Sequence, residues 1–292
     1  MILATARTQP WVLALAVAFI TLAMLSENAA LAQYRYPKTA REVPAEGVET
    51  PVWNVDPSFK KDVFTFVRIR YHHNGRPPRS RYSGAGYWSI DFPDSDLNFS
   101  YRLQQMTSLK VDPNCRVLEI TDPELFDYPW IYIVEPGGLA FTEEEVPILR
   151  RYLLSGGFLM VDDFWGEYEW ENFYNEIKKV FPEPEREPEE LPLTHEIFNC
   201  VFRIPEKYQI PAIDIGVQSQ YTGITWERPD AKEVHYKGIY DDKGRMMVII
   251  CHNTDLGDGW EREGENEYYF REFSEKKAYP LGINIVFYAM TH

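Results

Sequence analysis

Two groups of side chains in this 292-residue chain have the types and spacing to do chemistry. Asp162 and Asp163 directly follow the apolar run Phe158–Val161 (FLMV), which reads as a buried strand. Adjacent carboxylates at the carboxyl end of such a strand lie where open α/β sheets bind ligands. They are costly there unless a cation or hydrogen-bond donors compensate them. The second group follows another apolar run, Met246–Cys251 (MMVIIC). His252, Asn253, Asp255, Asp258 and Glu261 offer one imidazole and several oxygen donors, with Gly257 and Gly259 between them. Oxygen-rich loops suit calcium or magnesium, and His with carboxylates suits a transition metal.

Each group has two readings. Asp162 and Asp163 act either as metal or substrate carboxylates beside a Trp165 wall, or as a helix cap and an ion-pair partner for an arginine of residues 76–81. The second group is either a divalent-metal loop built on Asp163, His252, Asp255 and Asp258, or a turn whose Asn and Asp side chains cap backbone amides. Its spacing does not fit a calcium EF-hand: counted from Asn253, the sixth position is Asp258 and the twelfth Gly264. Trp260 is expected either to stack on a sugar ring or to pack under the loop. Arg76, Arg79 and Arg81, next to Tyr82, Tyr87 and Trp88, form a basic patch that can hold an anionic ligand or salt-bridge to the acidic surface.

The elements that must position these groups alternate between short apolar strands and capped amphipathic helices. Strands are expected at Val63–Arg70, Arg116–Ile120, Trp130–Val134, Phe158–Val161 and Met246–Cys251. Helices are expected from Leu97 to about Leu109 with Asp96 as cap, from a Thr142/Glu145 capping box to Leu154, over Glu167–Val180, and over Leu281–Met290 entered through Pro280. This alternation predicts a three-layer α/β domain with a largely parallel sheet. Residues 33–61 read as an extended lead-in to a single domain over 62–292, with long loops at 71–95 and 181–192. The second loop is rich in proline and glutamate and reads as solvated.

Residues 1–32 have the layout of a secretory signal peptide: one early arginine, an apolar run from Trp11 to Leu25, then Ala30-Leu31-Ala32. Cleavage is expected between Ala32 and Gln33, giving an exported, periplasmic or secreted protein that is not integral to the membrane. With 45 acidic against 30 basic residues the chain carries a formal charge of −15, which disfavours nucleic acid as a partner. Cys115, Cys200 and Cys251 lack C-x-x-C spacing. Buried thiols, or one disulfide with one free thiol, are the two expectations.

Several segments resemble one bacterial family. They are Tyr101-Arg102-Leu103, Asp122-Pro123-Glu124-Leu125, Glu135-Pro136-Gly137, the stretch from Leu149 to Phe158, Asp162-Asp163-Phe164-Trp165-Gly166, and Cys251 to Trp260. They are similar to the family called domain of unknown function 4159 (DUF4159). The resemblance implies a flavodoxin-like, class I glutamine amidotransferase-like fold in exported or membrane-attached proteins. It also implies partners among MoxR-type ATPase and von Willebrand A systems of the envelope. Catalytic members of that fold place a cysteine nucleophile on a tight strand-to-helix turn. Here the matching turn, Asp162 to Gly166, has no Cys, Ser or Thr, so thiolate chemistry is excluded. No phosphate-binding loop exists, and Gly84-Ala85-Gly86 meets Ser89 where a dinucleotide site needs glycine, so no nucleotide cofactor is expected. A non-catalytic binding or assembly domain is therefore the leading expectation. The alternative is a metal-dependent hydrolase using Asp162, Asp163, His252 and Asp255 on an envelope carbohydrate or peptide.

Overall fold

The computed structural model describes residues 36–59, 62–75 and 86–292. Arg76, Arg79 and the signal-like segment lie outside the described residues. Lys38–His292 form one compact unit. Its centre is a seven-stranded sheet of β1 (Val67–Ile69), β2 (Arg116–Leu118), β3 (Trp130–Val134), β4 (Phe158–Asp162), β5 (Glu189–Glu190), β6 (His235–Tyr240) and β7 (Met246–His252). The spatial order is β2-β1-β3-β4-β7-β6-β5. The first five strands in that order are parallel, and β6 and β5 add an antiparallel extension. The parallel part has the 2-1-3-4-5 order of a flavodoxin-like doubly wound sheet. Every residue of β3, β4 and β7 is buried, as the unbroken apolar runs predict for strands covered on both faces.

The helices are α1 (Asp94–Met106), α2 (Glu145–Leu154), α3 (Gly166–Val180), α4 (Ile213–Thr222), α5 (Leu256–Glu261) and α6 (Tyr279–Thr291). α1, α5 and α6 pack together as one layer and α2 with α3 as another, so the three-layer α/β expectation holds. Thr142 and Glu145 make the reciprocal capping-box bonds ahead of α2, at 2.7 and 3.2 Å. An aromatic core joins Phe66, Trp130 and Tyr132 of the sheet side to Phe99 of α1 and Trp260 of α5. Trp260 is fully buried, so it packs under its segment and offers no face to a sugar.

Several local expectations are corrected. α1 begins at Asp94, and Asp96 lies inside its first turn, where its carboxylate pairs with the fully buried Arg68 of β1. Within the Val63–Arg70 run, Arg68 faces inward because α1 brings it a partner. The acidic stretch 181–192 is not merely solvated. It supplies edge strand β5, buries Phe181 and Leu191, and sends the Arg186 guanidinium to the Tyr240 carbonyl at 2.7 Å. The last helical segment starts well before Pro280: a short turn at Glu267–Tyr269 leads into π-helical winding over Phe270–Ala278 and then α6. The wider winding ends where Pro280 withdraws a backbone donor. All three cysteines are free thiols; Cys115 and Cys251 are buried, but Cys200 is exposed.

Candidate acidic centre at the strand ends

The ends of the parallel strands carry the tightest concentration of carboxylates. Among the described residues, Asp91, Asp163 and Asp255 each present a carboxylate oxygen within 4.8 Å of the others. A second trio, Asp91, Asp258 and Glu261, does the same, so Asp91 belongs to both. Asp163 comes from the end of β4. Asp255 is the N-cap of α5, just beyond β7, and its Oδ1 accepts the Asp258 amide at 2.6 Å. Asp91 comes from the segment between β1 and α1. Six carboxyl groups (Asp91, Asp162, Asp163, Asp255, Asp258 and Glu261) are thus buried at one end of the sheet.

Asp162 anchors this arrangement from below. Its Oδ2 accepts the backbone amides of Leu256 at 2.9 Å and Gly257 at 3.0 Å, and the Tyr132 hydroxyl at 3.1 Å. It therefore caps α5, not the helix that follows it in sequence. Its Oδ1 has no hydrogen-bond partner. Trp165 is more than a wall: its indole Nε1 donates to Asp163 Oδ1 at 3.0 Å. Asn253 positions backbone, its side chain accepting the Gly166 amide at 2.8 Å and donating to the Glu233 carbonyl at 2.7 Å. The capping of α5 by Asp255 fits the self-satisfied-turn reading, and the clustering of Asp255 and Asp258 with other acids fits the metal-loop reading. One segment does both.

His252 does not join either trio among the described residues. It is buried between Phe164, Trp170 and His235, with Nε2 at 3.2 Å from the Gly166 carbonyl. As the last residue of β7 it points to a different face from Asp255, and burial pulls its pKa down to about 4. Of the metal candidates expected from sequence, Asp163 and Asp255 fall in one trio and Asp258 in the other, while His252 sits in an aromatic environment.

The electrostatics show how poorly the acids are compensated. Burial, then the charge of Asp258, pushes Asp91 well above the usual carboxylate range. Burial and Glu135 do the same to Asp163, and burial and Asp163 to Asp255. Burial lifts Asp162 to about 7 against its three hydrogen bonds, and lifts Glu261 to about 10 with Asp91 adding to it. Glu135, just past β3, rises to about 8 through burial and its neighbour Glu169. One arginine answers them directly: Arg262 lies 3.1 Å from Asp258 and 2.7 Å from Glu261. Arg68 is near, but it is committed to Asp96.

The backbone is unusual at the same place. The non-glycine residues with positive φ among the described residues are Asp91 (61°), Glu135 (49°), Asp163 (57°) and Asn253 (61°). Glu135, Asp163 and Asn253 directly follow parallel strands and Asp91 lies just before α1; such conformations cost about 1–3 kcal/mol apiece and gather at functional sites. Gly257 completes the enclosure. A Cβ there would run into Asp91 Oδ2 and stand 3.1 Å from the Tyr132 hydroxyl and 3.4 Å from Asp255 Oδ1.

Sequence reasoning missed Asp91, Glu135 and Arg68. Arg68 donates to the carbonyls of Trp88 and Ile90 at 3.0 Å each, so it holds the segment that presents Asp91. The available signal was weak: Asp91 lies in the long connection after β1, a few residues before a helix.

Fold and site together define a doubly wound α/β domain with a buried carboxylate centre at the carboxyl ends of its strands. The chain matches the family described as domain of unknown function (DUF4159) over residues 65–290 and belongs to that family. No curated protein matches it. No helix among the described residues is long and apolar enough to cross a membrane.

Proposed function

We propose that this domain is a divalent-cation-dependent hydrolase of the bacterial cell envelope, acting on a carbohydrate or peptide component. The observation that carries this reading is the convergence of Asp91, Asp163 and Asp255, buried and within 4.8 Å of one another, with no salt bridge to a Lys or Arg among the described residues. Three clustered carboxylates form an all-oxygen ligand set of the kind that takes Mg2+, Mn2+ or Ca2+. Such an ion, when bound, lowers the pKa of a water and polarises the bond to be split, so hydrolysis needs no nucleophilic side chain. That fits an amidotransferase-like fold whose nucleophile turn reads Asp162-Asp163. The chain's own part is to hold the ligands: Trp165 fixes Asp163, the Asp258 amide fixes Asp255, and Arg68 fixes the segment of Asp91. The envelope location is supported by the signal-like sequence of residues 1–32.

A second reading, cation-dependent binding or assembly beside MoxR and von Willebrand A partners, is favoured by the near-complete enclosure of the three carboxylates. One experiment separates the two. Chelator-treated protein is titrated calorimetrically with Mg2+, Mn2+ and Ca2+, and wild type and Asp163→Asn are then incubated with peptidoglycan fragments and acylated sugars under mass-spectrometric detection. Cation uptake that is weakened in Asp163→Asn, with cation-dependent turnover that is abolished there, is the expected result. Uptake without turnover selects the binding reading. Absence of uptake for all three ions overturns the centre itself.

A further inference from the structure

The acidic centre extends beyond the trio used above. α5 is capped by Asp255 and carries Asp258 and Glu261, three carboxylates at intervals of three residues. Residues three apart on a helix are neighbours on its surface, so these acids form one stripe. Asp91 lies against that stripe and shares both trios. It is 8% exposed, and its Oδ2 has no hydrogen-bond partner among the described residues. That oxygen is aimed into the cluster: it occupies the space where a side chain at position 257 would stand, with Asp255 Oδ1 beside it.

We propose that the centre holds a second divalent cation, bound by Asp91, Asp258 and Glu261, with Asp91 bridging it to the first. This inference rests on the cation reading given above. Charge supports it once the three acids are ionised, as cation ligands must be. Asp91, Asp258 and Glu261 bring three negative charges, Arg262 returns one, and the remainder of two matches one divalent ion. Arg262 engages Asp258 Oδ1 and Glu261 Oε2. Asp258 Oδ2 accepts the Ile213 amide at 2.6 Å, which fixes that carboxylate. Among the described residues, the six buried carboxylates of the centre have Arg262 as their direct arginine partner, since Arg68 is matched by Asp96. One divalent ion leaves a net charge of three; two ions leave one. Paired ions bridged by a carboxylate are an established means of clamping both the attacking and the leaving oxygen in hydrolysis.

The test is the stoichiometry of Mn2+ in the full chain. Chelator-treated protein is equilibrated with excess Mn2+, gel-filtered and measured for metal content, and its paramagnetic resonance spectrum is recorded. Two Mn2+ per chain with a spin-coupled spectrum are expected for wild type. Glu261→Gln and Asp163→Asn should each retain one ion with the uncoupled six-line signal, and Asp91→Asn should fall below one. One ion in wild type, lost in Asp163→Asn and untouched by Glu261→Gln, overturns the second site and leaves the first standing. No ion in wild type overturns both. Should Glu261→Gln fail to fold, wild type decides alone: an uncoupled spectrum at saturation refutes the bridge.

Discussion

Asp91→Asn gives the sharpest test of the acidic centre, because its effect on stability should differ between two buffers. Asparagine keeps the shape of the side chain and tolerates positive φ, so the strained backbone at 61° is preserved. In chelator at pH 7.5 the change removes a carboxyl that burial and Asp258 hold well above its usual range. A group already reluctant to ionise loses little on becoming neutral, so the variant should be unchanged or more stable by up to about 1 kcal/mol. With cation at a hundred times its dissociation constant, wild type gains about 2.7 kcal/mol by mass action and the variant forfeits most of it. In a domain of this size each kcal/mol moves Tm by about 2–4 °C, so the loss corresponds to roughly 5–11 °C. The assay is thermal unfolding followed by tryptophan fluorescence, wild type and variant side by side, in chelator and in 10 mM-scale Mg2+ or Mn2+. A Tm difference of the same size in both buffers refutes the reasoning, since it would make Asp91 a structural residue indifferent to cations.

Gly257→Ala should weaken cation binding by tenfold or more, although alanine is favoured over glycine in a helix by about 1 kcal/mol. The new methyl displaces Asp91 Oδ2, and calorimetric titration reads the loss. Arg68→Met should cost about 3–5 kcal/mol, because Asp96 is left buried without its charge partner, and denaturant unfolding measures it. His252 should titrate near 4 in an NMR pH series. The unfolded chain binds that proton below about 6.5 and the folded chain only below about 4, so the unfolded state carries more protons between them. Stability should therefore fall as pH drops through that window, by about 3 kcal/mol, and His252→Phe should abolish that part of the slope. Glu190 behaves as the acid counterpart. Burial pushes it up, but hydrogen bonds from His235 and Lys207 bring it down to about 2. Its contribution is complete above about 4.5 and lost as pH falls through about 2, and Glu190→Gln should cost no more than about 1 kcal/mol at pH 7, read by chemical denaturation.

Where burial is continuous, local pattern and tertiary structure agreed: FLMV, WIYIV and MMVIIC became β4, β3 and β7, and the Thr142/Glu145 pair made its capping box. Where a polar residue is buried, pattern misled, because its partner lies far along the chain. Nothing local marks Arg68 as buried; only α1, which brings Asp96 against it, does so. β6 and α4 gave weak signals, since β6 mixes His, Lys and Gly and α4 has no clear apolar stripe at helical spacing. Within the site, Asp162, Asp163, Asp255 and Asp258 were legible as acids at strand ends. That Asp91 would meet them follows only from the 2-1-3-4-5 strand order, which places the ends of β1, β3, β4 and β7 side by side. His252 shows the opposite limit. It is three residues from Asp255, yet the last residue of a strand and the cap of the next helix face different surroundings.

The stability cost of this arrangement bears on what it is for. Carboxylates exposed to solvent cost nothing, and a chain of charge −15 has many. Six of them are instead drawn into the protein at one end of the sheet, around four residues held in left-handed backbone conformations. Hydrogen bonding answers part of this, since Asp162, Asp255 and Asp258 each accept backbone amides. It leaves Asp91 Oδ2 and Asp162 Oδ1 without hydrogen-bond partners among the described residues. A purely structural cluster would gain stability from replacing such acids with amides or apolar groups of similar volume. The two explanations predict opposite behaviour for a combined Asp91→Asn, Asp163→Asn variant. If the acids serve only the fold, the double variant differs from wild type by the same amount in chelator and in cation. If they serve a cation, it is the more stable protein in chelator and the less stable one in Mn2+, and the crossing of the two melting curves measures the binding energy that the strained strand ends are kept to provide.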